Sequence, residues 1–538
     1  MTLLMTDAPP GSCPATFANE PHVDFSIQAN RDAMRSAIER VRKKLGCHCP
    51  LVIDGNPTET PNRIVSVVPY DFAVEVGTTA SAEAAHADQA VEAARMAQRD
   101  WKRRPAAERA ERLRRLADLM RKEFFELAAW EVFESAKPWR EATADVCEAI
   151  DFCEYYAEET ERLASCHGAD VPGEENRFVY LPRGIAAVIA PWNFPLAILT
   201  GMTAAALATG NAAIMKPAEQ SSIIASHLMR LGLEAGIPPG VLHYLPGRGE
   251  EVGAALVEHP HVHLIAFTGS RDVGLAIHAR AAAVSGRSCK FVKKVIAEMG
   301  GKNAIVVDRD ADLDEAVAGV VYSAFGFQGQ KCSACSRVVV LENVYDAFLR
   351  RLTEATRSLP VGPAEEPATI VSAVIDEEAR NRILEYIALG REEGREVLGV
   401  DVGDLAKRGY YVGPHIFADI APEARLAQEE IFGPVLAVLK ASDLDEAFRI
   451  VNGVDYALTG GIYSRSPAHL DRARREIEVG NLYLNRGITG ALVGRQPFGG
   501  FKLSGIGSKA GGSDYLLQYV LPKTITENTM RRGFAPPE

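Results

Sequence analysis

The sequence predicts an α/β fold built on a parallel, doubly wound sheet and followed by a second α/β domain. Three observations carry this expectation. From residue 184 onward, short apolar runs at 185–189, 212–215, 241–245 and 263–267 are each closed by Gly, Pro or Ser and followed by a helical segment. A second alternating block opens at 303–307 and runs past 436–439. At 538 residues and 58.2 kDa the chain exceeds one core, and roughly 100 to 200 residues per domain predicts two to four domains.

In chain order, residues 1–25 contain Asp7 and three prolines by position 14 but no long apolar run, which fits neither a secretory signal nor a membrane anchor. No stretch of 18 apolar residues free of polar breaks occurs, so a cytoplasmic protein without a membrane partner is expected. Residues 82–104, 107–135 and 142–165 space apolar side chains three and four apart between charged faces, the pattern of amphipathic surface helices. Residues 177–181 and 515–524 alternate as strands outside the main sheets; pairing with another subunit and a plain edge hairpin are both open.

Composition narrows the function classes. Hydrophobic residues at 47% and charged residues at 24% are those of an ordinary globular protein. A net charge of -12, without Lys and Arg clustered on one face, argues against nucleic acid. Nine cysteines, at 13, 47, 49, 147, 153, 166, 289, 332 and 335, have neither the density nor the spacing of a disulfide framework. Cys332 and Cys335 form a Cys-x-x-Cys, but no second pair and no His-x-x-x-His follows, so no metal is expected.

Cys332 stands 34 residues after Glu298. A thiol among small residues suits attack on an electrophile, and a carboxylate brought near it suits activation of the water that later releases a covalent product. A small buried hydrophobe and a solvated glutamate describe the same two residues, and these residues alone leave both readings open. The nucleotide signal is similarly divided. Residues 247–253 carry one residue too many for Gly-x-Gly-x-x-Gly. Residues 267–274 follow a strand and open a helix, where backbone amides attract phosphate, although a capped helix start fits equally. Lys216 and Glu219, directly after another strand, could hold the hydroxyls of a ribose.

Seven segments taken together resemble one family. Residues 190–195 (APWNFP), 215–219 (MKPAE), 267–270 (FTGS), 298–302 (EMGGK), 329–332 (GQKC), 430–434 (EIFGP) and 497–500 (PFGG) occur in the order and approximate spacing of the aldehyde dehydrogenase superfamily. The resemblance covers about residues 50–525. It implies an aldehyde dehydrogenase-like fold: a Rossmann-type NAD-binding domain, an α/β catalytic domain and a small β oligomerisation flap. The expected division is an N-terminal extension over 1–50, the NAD-binding domain over 51–297 interrupted by flap strands at about 168–183, and the catalytic domain over 298–480. A return to the NAD-binding domain over 481–514 and a flap strand with tail over 515–538 complete it.

The resemblance also implies roles. Cys332 is the expected nucleophile, Asn193 the oxyanion donor together with the Cys332 backbone N–H, and Glu298 the base that activates the hydrolytic water. NAD is the expected cofactor, with Lys216 and Glu219 at its adenosine ribose, Gly269 and Ser270 at the pyrophosphate, and Glu430, Phe432 and Trp192 at the nicotinamide end. A carboxylate at Glu219 repels a 2'-phosphate, so NAD is expected over NADP. Residues 294–301, 323–337 and 485–500 resemble more narrowly the 1-pyrroline-5-carboxylate dehydrogenases, which oxidise L-glutamate γ-semialdehyde to glutamate in proline breakdown. In that group Ser333, Gly490 and Ala491 would grip the α-carboxylate while Phe194 and Phe498 flank the aliphatic stem.

Ile488 and Ile506 depart from what is expected in close relatives, and Ile488 borders the anchor loop. Glu148 is a candidate for a further active-site carboxylate, and Cys335 reads as structural. A homodimer or dimer-based oligomer and a separate proline dehydrogenase upstream are the expected partners. The alternatives are a dehydrogenase of another semialdehyde, such as succinate semialdehyde, and a non-catalytic member of the fold.

Overall fold

The structure is a computed structural model that describes residues 17–165, 168–284 and 289–530. Two large sheets organise it. The first has eight strands in the order Gly505–Ile506, Lys294–Glu298, Leu264–Thr268, Ile185–Ile189, Ala212–Lys216, Leu242–Tyr244, Leu51–Ile53 and Asn56–Thr58. Its five central strands run parallel, and antiparallel strands close both edges. Ile185–Ile189 and Ala212–Lys216 are buried along their whole length because helices cover both faces of a parallel sheet. This is why the sequence shows unbroken apolar runs there.

The second sheet has seven strands: Arg395–Gly399, His415–Ala418, Val435–Ala441, Cys335–Leu341, Asn303–Val307, Thr459–Tyr463 and Asn481–Leu484. All pairings are parallel except that of Arg395–Gly399 at one edge. The last strand of the chain's first parallel run, Lys294–Glu298, ends only a few residues before Asn303–Val307 begins. The carboxyl end of one sheet therefore passes directly into the other, and Glu298 stands at the crossing.

The helical reading needs one break and one boundary moved. The stretch expected as a single helix over 107–135 is two, Ala106–Lys122 and Phe124–Ser135, separated at Glu123, whose φ of -102° and ψ of 15° leave the helical region. Residues 515–519, expected as the start of a strand, form a 3-10 turn whose Tyr515, Leu516 and Tyr519 are buried in the core. The strand begins only at Val520 and runs to Asn528, pairing antiparallel with Glu174–Pro182. The two outlying strands thus find each other within one chain and present Phe178, Leu181, Leu521 and Ile525 exposed.

Within 17–50, the helix Gln28–Arg42 buries Met34, Ala37, Ile38 and Val41 in the same core as the helix Phe124–Ser135. Strand Asn481–Leu484 still belongs to the seven-stranded sheet, and Gly505–Ile506 joins the eight-stranded one. No helix among the described residues is long and apolar enough to cross a membrane.

Candidate active site

Cys332 sits on a loop between the helix Leu313–Phe325 and the strand Cys335–Leu341, and the loop is held in an unusual backbone path. Phe327, Gln328 and Gly329 take φ of 49°, 56° and 69°, three consecutive left-handed residues. Non-glycine residues pay about 1 to 2 kcal/mol each for that conformation, so surrounding contacts must hold it. Gln328 Nε2 donates to the carbonyls of Ala136 (3.2 Å) and Ala373 (2.7 Å), and the Ile375 N–H donates to Gln330 Oε1 (2.9 Å). The buried Lys331 ammonium pairs with Glu141 at 2.7 Å. At Gly329 a Cβ would lie 2.4 Å from the Gly433 carbonyl oxygen, so glycine is required by both φ and space. On the far side of the thiol, Asn303 Nδ2 donates to the carbonyls of Cys332 (2.7 Å) and Ala334 (2.9 Å), and Asn303 Oδ1 accepts the Thr459 N–H (2.9 Å).

Two cavities meet at Cys332. The smaller, about 110 Å³, is lined by Glu148, Phe194, Glu298, Ser333, Gly490, Ala491 and Phe498 among others. The larger, about 650 Å³, is lined by Trp192, Asn193, Gly269, Ser270, Glu430 and Phe432 among others. Ile198, Thr268, Met299 and Cys332 line both. Cys332 therefore faces a tight, mostly apolar chamber on one side and a roomy polar one on the other.

The carboxylates nearby are electrostatically perturbed. Burial pushes Glu298 up to about 8, opposed by a hydrogen bond from the Gly500 N–H and by the Lys509 charge. Its Oε2 has no hydrogen-bond partner, and its side chain is 9% exposed. Burial also pushes Glu148 up to about 8, with the Asp145 charge adding to it, and raises Glu430. Cys332 is driven to about 12 by burial and by the surrounding Glu430, Glu298 and Glu148. Burial thus favours the neutral forms of Cys332, Glu298 and Glu148 at pH 7.

The structure brings most of the sequence-derived residues together. Asn193 is buried, and its Nδ2 donates to the Gln330 carbonyl at 3.1 Å, tying it to the loop that carries Cys332. Trp192 and Phe432 meet edge to face, ring centroids 5.5 Å apart. The Gly301 N–H donates to Glu430 at 2.8 Å. Gly269 and Ser270 immediately precede the helix Arg271–Val284. Lys216 and Glu219 stand outside the lining of the larger cavity, paired with each other at 2.9 Å, with the Gly249 N–H donating to Glu219 at 2.8 Å. Ile488 is fully buried beside the anchor loop, and Ile506 is half-exposed.

Sequence reasoning named Glu148 as a candidate carboxylate but missed its two neighbours on the same helix face, Phe152 and Tyr156. Glu148, Phe152 and Tyr156, at successive i, i+4 positions of the helix Trp139–Ala164, all line the smaller cavity. That spacing is a legible signal, but nothing in one sequence distinguishes this face from an ordinary core face. Lys137 also escaped notice. It is fully buried between Glu131 and Asp145, 3.4 Å from each, with its ammonium 4.3 Å from the Phe194 ring and 5.1 Å from the Phe327 ring. Among the described residues, the ligand-like group of His, Cys, Asp and Glu side chains is Asp308, Asp310 and His469; Cys332 and Cys335 are not in it.

A family model described as "Aldehyde dehydrogenase family" matches residues 57–525. The chain is 50% identical over 514 residues to the 1-pyrroline-5-carboxylate dehydrogenase of Geobacillus thermodenitrificans, covering 95% of this chain and 99% of that one. Among solved structures, a 1-pyrroline-5-carboxylate dehydrogenase from Thermus with bound NAD superposes with a TM-score of 0.92 at 46% identity, covering 97% of this chain and all of that one. Proline utilization A from Bdellovibrio bacteriovorus superposes with a TM-score of 0.95 at 50% identity; the match covers 98% of this chain and 54% of that one.

Proposed function

The chain belongs to the aldehyde dehydrogenase family, and we propose that it carries out the NAD-dependent oxidation of L-glutamate γ-semialdehyde, the open form of 1-pyrroline-5-carboxylate, to L-glutamate. The observation that carries this reading is the position of Cys332 where a small chamber and a larger cavity meet. The small chamber matches an amino-acid semialdehyde group by group. Ser333 with the backbone N–H groups at Gly490 and Ala491 holds the α-carboxylate. Glu148, whose carboxyl is kept protonated by burial and by the Asp145 charge, ionises when a cationic α-ammonium arrives beside it. Phe194 and Phe498 enclose the aliphatic stem and exclude water.

The larger cavity fits NAD. Gly269 and Ser270 at the helix start hold the pyrophosphate, Glu430 accepts from the nicotinamide ribose, and Trp192 with Phe432 borders the ring. Lys216 and Glu219 take the adenosine ribose, and the Glu219 carboxylate disfavours a 2'-phosphate. The chemistry NAD supplies when bound is acceptance of a hydride from the substrate carbon.

The chain's own residues do the rest. The Cys332 thiol passes its proton to solvent through the larger cavity, the thiolate attacks the aldehyde carbon, and Asn193 Nδ2 with the Cys332 N–H stabilises the oxyanion of the thiohemiacetal. Once that carbon is oxidised, a thioester joins substrate to Cys332. In its ionised form, whose share grows as pH rises through about 8, Glu298 takes a proton from water, the resulting hydroxide attacks the thioester carbonyl, and glutamate leaves as the Cys332 thiolate is restored. Gly499 lets the carboxylate sit there, since a Cβ at that position would lie 2.8 Å from Glu298 Oε1.

Association into a dimer-based oligomer in the cytoplasm, with a proline dehydrogenase supplying the substrate, completes the reading. The exposed apolar residues of the paired outlying strands support the first part. The test is NADH formation by the purified protein from NAD and 1-pyrroline-5-carboxylate. Activity is expected to vanish in Cys332→Ala, and activity surviving that change would sink the mechanism. A higher kcat/KM for succinate semialdehyde would replace the substrate assignment with the alternative one.

A further inference from the structure

Away from the active site, two nucleophilic side chains share a cavity that the proposed reaction does not use. The strand Cys47–Cys49 forms one edge of a three-stranded sheet and pairs in parallel with Asp71–Ala80. Side chains two apart on a strand share a face. Cys47 and Cys49 therefore point the same way, while His48 points to the other side and is held between Thr78 (2.8 Å) and Glu59 (2.8 Å). Both thiols are free and half-buried. They line a cavity of about 520 Å³ bordered by the helix Ser222–Glu234, whose Ser226 Oγ lies 3.3 Å from Cys49 Sγ.

The surroundings make the two sulfurs unequal. The neighbouring Cys47 thiol and, to a smaller degree, Ser226 and His48 draw Cys49 below the usual thiol range, with burial opposing them. Cys47 is pushed up, first by that same contact, then by burial and by the nearby Glu134. Of the other titratable groups around the pair, Tyr244 is held protonated by burial and Glu134 is raised to about 8, while Lys44, His227, Arg230 and Glu234 line the same cavity. One thiolate beside one thiol is the arrangement in which a sulfenic acid is formed and promptly resolved.

We propose that Cys47 and Cys49 are a peroxide-sensitive dithiol that closes to a reversible intrachain disulfide. The Cys49 thiolate attacks a hydroperoxide, breaking its O–O bond, forming a sulfenic acid and releasing hydroxide or alkoxide, which takes up a proton. The Cys47 thiol then attacks the Cys49 sulfur; an S–S bond forms, the S–O bond breaks, and water leaves. The two thiols lose two electrons together and one hydroperoxide gains them. Two residues of strand span about 6.6 Å between Cα atoms. That lies near the upper end of the roughly 4.4 to 6.8 Å a disulfide accepts, so the bond is strained and easily reduced. Cys332, held at about 12 in its resting site, is the slower thiol toward peroxide.

Trypsin releases both cysteines on one peptide, residues 45–63, which makes the test direct. The full-length protein is treated with limiting hydrogen peroxide, alkylated and digested. The peptide is expected unalkylated and lighter by two hydrogens, and dithiothreitol is expected to restore double alkylation. Cys47→Ser is expected to leave Cys49 as a sulfenic acid that dimedone traps, whereas Cys49→Ser leaves Cys47 alkylated and untouched. The idea is overturned if the peptide stays doubly alkylated at a dose that oxidises Cys332, or if Cys49 is found bonded to a different peptide.

Discussion

Replacing Glu298 by Gln should cost catalysis and repay stability, and both sides can be sized from the burial of this one carboxylate. Burial moves Glu298 from an ordinary 4.5 to about 8. Folding therefore favours its protonated form, so this group's share of stability is fully present below about pH 4.5 and is lost as pH rises through about 8. At about 1.4 kcal/mol for each pH unit, the loss by pH 9 is on the order of 5 kcal/mol. Glutamine keeps the shape without the charge. The variant should match the native protein in urea denaturation at pH 4.5 and exceed it clearly at pH 9. In the reaction, general base catalysis typically contributes 10²–10⁴-fold, so steady-state turnover should fall by about that factor and lose its rise through pH 8. Because Glu298 acts on the thioester, a rapid burst of NADH equal to the enzyme concentration should survive. A variant whose burst and steady state fall together, or whose stability advantage is the same at pH 4.5 and 9, would refute the reasoning.

Three further outcomes follow from the same geometry. Glu148→Gln should lower kcat/KM for glutamate semialdehyde about tenfold or more while leaving succinate semialdehyde almost unaffected, since only the former carries an ammonium; steady-state kinetics on both substrates checks it. Lys137→Met leaves Glu131 and Asp145 buried without their cation and should destabilise by about 3 to 5 kcal/mol in denaturant titration. Gly329→Ala forces a Cβ to 2.4 Å from a backbone oxygen at a left-handed position, and should reduce Cys332 alkylation by substrate-sized electrophiles as well as activity.

The sheets and the reactive segments were legible because their signals are local. Apolar runs such as 185–189 mark buried parallel strands, and 329–332 with 298–302 mark the segments that meet at the thiol. The break at Glu123 was not legible, because residues 107–135 keep an unbroken helical spacing across a change of axis. Nor was the turn at 515–519, where Tyr515 and Tyr519 are buried by the core rather than arranged by a strand.

By itself the sequence determined the two-sheet architecture and the family resemblance and offered Cys332, Glu298 and Asn193 as candidates, because strand periodicity and short motifs are written in neighbouring residues. Tertiary structure alone decided that Cys332 opens onto two cavities at once, that Phe152 and Tyr156 join Glu148 in the chamber wall, and that Lys137 lies buried behind Phe194. Those facts depend on which helix face meets which loop. The acidity of each carboxylate follows from the same packing, since it is burial, not residue type, that moves Glu298 and Glu148 to about 8.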